Sequence, residues 1–120
     1  MEKNILQQNY ETYLDRKINP VPNSFTNVMF DRGVKFMCKK IGEEATEVVM
    51  AAIADNKTEL VLEIADLVYM VQVLMVEKGI TNQDIEKVLI ERSKVQGNSK
   101  LKISTVKGGK QDEQVDIRTS

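Results

Sequence analysis

Residues 60–76 read LVLEIADLVYMVQVLMV, and thirteen of the seventeen are alanine, valine, leucine, isoleucine or methionine. At helical spacing those residues fall on nearly every side, and a helix that is apolar all round is buried on most of its faces. A single chain of 120 residues with few helices cannot easily surround it. The segment therefore predicts an all-α fold, a helical bundle that a second copy of the chain completes. Its two carboxylates, Glu63 and Asp66, break the run before it reaches the ~20 apolar residues of a membrane span. Both then lie in the most buried stretch of the sequence, where an unpartnered carboxylate costs several kcal/mol or takes up a proton.

Composition narrows the chemistry. Apolar residues make up 42% and charged residues 29%, the balance of an ordinary globular domain. The net charge of −1 provides no bulk attraction for nucleic acid or an anionic membrane, so any phosphate recognition must be local. The single cysteine, Cys38, excludes an intrachain disulfide and suits a reducing cytoplasm; it reads as a small packing residue. The N-terminal sequence has no secretory h-region. There is no histidine, which rules out histidine-dependent triads and His-ligated zinc. Hard oxygen ligands remain, and these suit Mg²⁺, Mn²⁺ or Ca²⁺.

Local signals divide the chain. Residues 1–17 space Ile5, Leu6, Tyr10, Tyr13 and Leu14 as one helical face. Asn19-Pro-Val-Pro-Asn23 ends that helix, and Ser24 or Asn23 caps a short one to about Arg32, stopped at Gly33. From 34 to about 54, Ile41, Ala45, Val48, Val49 and Ala52 form a stripe that Glu44 borders. Asp55-Asn56-Lys57 is a tight connection, and Asn56 with Glu59 resembles a capping box. Short helix–helix loops make antiparallel neighbours. Gly79 reads as a C-terminal stop, and Thr81 caps a last helix to about Val95, with Ile85, Val88 and Leu89 inward. Met37, Met50, Met70 and Met75 read as filler of the core or of a subunit contact. The expected division is a helical domain at 1–96 and a polar tail or small hairpin at 97–120. In that tail Leu101, Ile103 and Val106 hint at a strand, and KGGK at 107–110 at its turn.

The acidic residues are mirrored about Asp55. Glu44 and Asp66 lie eleven positions to either side, and Glu47 and Glu63 lie eight. If the two flanking helices fold back on each other, Glu47 comes level with Glu63 and Glu44 with Asp66. Residues three apart share a helix face, so the four carboxylates form one acidic wall. Such a wall needs cations. Lys40, one turn before Glu44, offsets only one charge, and divalent metal held against phosphates is the economical answer.

KKIGEEATEVVMAA, then ELVLEIADLVYMVQVLMVEKGIT and a terminal helix, resembles the phosphoribosyl-ATP pyrophosphatases, all-α nucleotide pyrophosphohydrolases of MazG type. The likeness runs from about 23 to 92. The family's ExxE and ExxD motifs are matched by Glu44, Glu47, Glu63 and Asp66. The lysine and first glutamate of its K-x-G-E-E run are matched by Lys40 and Glu43. The resemblance implies a cytoplasmic homodimer that hydrolyses phosphoribosyl-ATP to phosphoribosyl-AMP and pyrophosphate with Mg²⁺ (or Mn²⁺), the second step of histidine biosynthesis. Two positions depart from the commoner pattern: Met70 stands where many members have histidine, and Phe36 where many have lysine.

On this reading Glu44, Glu47, Glu63 and Asp66 hold the metal, and Glu47 or Glu43 orients or deprotonates the attacking water. Lys40 is the first candidate to contact phosphate, followed by Lys39, Arg32 and Arg92. Tyr69 is packed, with its hydroxyl near the site. The rival readings are a MazG-type pyrophosphatase for another nucleoside triphosphate and a catalytically silent helical dimer that serves as an adaptor.

Overall fold

The computed structural model describes residues 3–109, and side-chain environments through Val95. The fold is all-α. Its helices are α1 (Ile5–Ile18), α2 (Phe25–Arg32), α3 (Val34–Ile53), α4 (Lys57–Lys78) and α5 (Asn82–Gly109). The chain divides into two compact units, one ending at Asn82 and one beginning at Gln83.

The breaks fall where the backbone is forced. Asn4 caps α1 by accepting from the Gln7 N–H at 2.9 Å. Ser24 caps α2, its side chain accepting from the Asn27 N–H. Gly33 separates α2 from α3 with φ +91°, in the left-handed region that favours glycine. Asn56 Oδ1 caps α4 by accepting from the Glu59 N–H at 3.1 Å. Gly79 closes α4 in the left-handed conformation, and its N–H returns to carbonyls of the last turn.

α3 and α4, joined through residues 54–56, are the most extensively packed pair, and α1 and α2 pack on them. The core gathers Met29, Met37, Met70 and Val73, with Phe36, Ile41 and Tyr69 against it. Tyr10, Met75 and Val76 form a second cluster. Gln72 is buried, and its amide donates to the Leu6 carbonyl and to Asn82 Oδ1, both at 3.1 Å. The Tyr10 hydroxyl donates to the Ile80 carbonyl at 2.8 Å. The unit that ends at Asn82 is thus laced from α1 to the end of α4.

Several expectations are corrected. On α3 the deeply buried residues are Met37 and Ala51, whereas Val49 and Ala52 face outward. The inward register is Met37, Ile41, Ala45, Val48 and Ala51, so the stripe is rotated from the expected one. Of the methionines read as filler, Met37, Met70 and Met75 are buried and Met50 is exposed. Cys38 is exposed rather than packed. Ile85, Val88 and Leu89 are exposed as well. α5 runs on as helix through Leu101, Ile103 and Val106 to Gly109, so no strand forms there; the end of KGGK lies outside the described residues.

Candidate metal and phosphate site

α4 keeps much of its apolar surface uncovered, yet its carboxylates turn toward α3. Glu44, Glu63 and Asp66 each present an oxygen, and these oxygens lie within 4.8 Å of one another. Glu44 Oε1 and Glu63 Oε1 are buried without a hydrogen-bond partner. Buried polar atoms are normally satisfied, and two carboxylate oxygens without partners in one place are donor atoms that a cation would satisfy. Oxygen-only donors at this spacing fit a hard divalent ion.

The trio is not the whole cluster. Glu59 and Glu47 also crowd Glu63, whose pKa is pushed up to about 8. The neighbouring Glu59 carboxyl is the largest cause, followed by desolvation, the carboxyls of Glu47 and Glu44, and repulsion from Glu47. Glu47 therefore sits beside the trio, although its oxygens fall outside the shared 4.8 Å group. Glu59 was missed in the sequence, where it read as the second half of a capping box. The Asn56 N–H instead goes to the Ala51 carbonyl at 3.1 Å, and the Glu59 carboxyl raises the pKa of Glu63. The signal was visible: Glu59 precedes Glu63 by four residues, which makes them neighbours on one helix face.

The other candidates separate. Lys40 pairs with Glu43 at 3.1 Å rather than with the wall. That contact makes Glu43 a partner of the lysine. Lys39, Gly42, Glu43, Thr46, Glu47 and Met50 line an open groove of about 470 Å³ along α3. The Arg32 guanidinium lies over the Phe36 ring, 4.9 Å from its centroid. Arg92 is exposed on α5, in the second unit. Tyr69 does pack, with its ring edge-on to Tyr13 at 5.2 Å, but its hydroxyl meets Thr26 at 2.6 Å instead of the carboxylates.

This arrangement is found in a chain with clear relatives. One is the histidine biosynthesis bifunctional protein HisIE of Caldanaerobacter subterraneus, 51% identical over 90 residues, covering 75% of this chain and 44% of that protein. The chain thus spans less than half the length of that bifunctional relative. Other relatives match along most of their length. The phosphoribosyl-ATP pyrophosphatase of Clostridium novyi is 44% identical over 96 residues, covering 80% of this chain and 87% of the relative. That of Streptococcus thermophilus is 46% identical over 94 residues, covering 78% and 90%. Residues 7–93 match the family described as phosphoribosyl-ATP pyrophosphohydrolase. That span contains all five clustered carboxylates and the two helices that carry them, and the chain belongs to the phosphoribosyl-ATP pyrophosphohydrolase family.

Proposed function

We propose that this chain hydrolyses phosphoribosyl-ATP to phosphoribosyl-AMP and pyrophosphate, the second step of histidine biosynthesis, in a Mg²⁺-dependent reaction in the cytoplasm. The observation that carries the reading is the convergence of Glu44, Glu63 and Asp66 from two adjoining helices, with orphaned oxygens on the first two. These three residues, with Glu47 beside them, are the proposed ligands. Mg²⁺ held there would neutralise charge on phosphate oxygens during in-line attack by water. The chain's own groups supply the rest. Glu47 borders both the trio and the open groove, which supports its carboxylate as the group that orients a water and accepts its proton. Glu43 is the weaker candidate because it is engaged with Lys40. When phosphate arrives, Lys40 exchanges Glu43 for it, while Lys39 on the groove is a further cationic contact.

A homodimer is part of this reading. Val49, Met50 and Ile53 on α3 and Val61, Leu62 and Ile64 on α4 are all exposed, and contiguous apolar surface of this kind marks an association face. Among the described residues no helix is long and apolar enough to cross a membrane.

The test is pyrophosphate release from phosphoribosyl-ATP and from a panel of ordinary nucleoside triphosphates, each with and without Mg²⁺. Metal-dependent cleavage of phosphoribosyl-ATP in preference to the panel supports the assignment. Cleavage of the ordinary triphosphates alone would replace it with a pyrophosphatase of another nucleotide.

A further inference from the structure

The seam between α3 and α4 continues past the carboxylates. On α3, Lys40 lies one turn before Glu44, and Phe36 one turn before Lys40. On α4, Met70 lies one turn after Asp66. Phe36 and Met70 meet in the same apolar cluster, and along α3 Phe36 lies about two turns, ~12 Å, before Glu44. Phe36, Lys40 and Glu47 share one stripe of α3.

Arg32 reaches this platform from the end of α2. Its guanidinium lies 4.9 Å from the Phe36 ring centroid, and among the described residues no carboxylate pairs with it. Lys40, between ring and wall, is already neutralised by Glu43. A guanidinium stacked on an aromatic face keeps its N–H edge free for bidentate contact with an oxyanion. The ring beneath it is held by the core, so little side-chain freedom remains to be lost on binding.

We infer that Arg32, held over Phe36, binds the second anionic end of the substrate, the phosphomonoester on the ribose attached to the base, while the triphosphate lies at the acidic wall. The inference rests on the substrate reading proposed above. It makes Arg32 a determinant of which nucleotide is accepted, separate from the groups that handle pyrophosphate. Phosphoribosyl-ATP carries anionic groups at both ends, and an ordinary triphosphate carries them at one.

Product inhibition separates the two ends, because phosphoribosyl-AMP keeps this phosphate and pyrophosphate lacks it. Arg32→Ala is expected to weaken inhibition by phosphoribosyl-AMP about tenfold, the scale of a charge-assisted contact. Inhibition by pyrophosphate should stay constant, and KM for phosphoribosyl-ATP should rise by more than kcat falls. Arg32→Lys, which keeps the charge and loses the fork, should recover only part of the affinity. Phe36→Leu, which keeps an apolar side chain against the core, should show the same selective weakening to a smaller degree. Equal weakening of both products, or of neither, overturns the assignment while leaving the activity in place. Failure of the unaltered protein to cleave phosphoribosyl-ATP is a distinct result that removes the substrate reading and this inference together.

Discussion

The hydroxyls of Thr26 and Tyr69 lie 2.6 Å apart, joining α2 to the helix that carries Glu63 and Asp66. Thr26 is buried at 8% exposure, so removing one hydroxyl leaves the other without a partner. Tyr69→Phe is expected to cost about 1–2 kcal/mol, in the range for a buried group left unsatisfied. Thr26→Val combined with Tyr69→Phe should cost less than the sum of the two single changes. Urea denaturation of the four proteins measures the coupling; strict additivity would mean that the contact contributes nothing.

Glu63 gives the protein an unusual pH response. Its folded pKa of about 8 lies above the ordinary carboxylate value of 4.5, so folding favours the protonated form. The resulting stabilisation is complete below about pH 4.5 and is lost as pH rises through 8. In chelator the thermal midpoint should fall across this interval, and Mg²⁺ should flatten the fall by replacing the proton as the cluster's cation. A midpoint that climbs with pH in chelator would contradict this account.

Glu63→Gln separates a metal site from an inert scaffold. The change removes one charge from the cluster, so the metal-free protein should be at least as stable at pH 9 as the parent. Mg²⁺ affinity and turnover should each fall by roughly a hundredfold or more, given that even residues supporting a ligand matter 10–100-fold. Calorimetric titration with Mg²⁺ reads the first effect, and pyrophosphate release reads the second. Unchanged Mg²⁺ binding would favour the adaptor reading.

The uncovered apolar residues make a prediction about assembly. Ile53 is 81% exposed and Val61 60%, so Val61→Lys should cost little in a monomer and much in a subunit contact. Light scattering should report a dimer for the parent and a monomer for this variant at micromolar concentration. A parent that is monomeric throughout would remove the homodimer from the proposal.

Asn56 tests the turn on which the site depends. Its side chain caps α4 through the Glu59 N–H, and Asn56→Ala should cost about 1 kcal/mol of stability. Asn56→Ser should restore most of it, because serine caps equally well. A loss with alanine that serine does not recover would point to a role other than capping.

Much of this was legible because it depends on local chemistry. Ser24 and Asn56 announce helix starts, Gly33 and Gly79 announce stops, and the spacing of Glu44, Glu63 and Asp66 about a short turn predicts their meeting. What stayed hidden depends on side chains choosing between partners. Glu59 had both a capping role and an i,i+4 neighbour open to it, and its carboxyl acts on that neighbour. Lys40 had Glu43 and Glu44 within reach, and Glu43 took it. Arg32 and Phe36 belong to different helices, so their stacking depends on the path through Gly33, which a residue pattern does not specify. The hint of a strand at Leu101, Ile103 and Val106 failed because alternation over so few residues is a weak guide when a helix already leads into them.

Glu44 and Asp66 are only 22 positions apart, on helices joined by a three-residue turn. Closing so small a loop sacrifices little chain entropy, and contacts this local form early during folding. The proposed metal ligands therefore belong to the segment best suited to nucleate the protein. Substitutions that weaken the packing of Ala51 should slow refolding more than they hasten unfolding, tying the rate of self-assembly to the same few turns that give the molecule its chemistry.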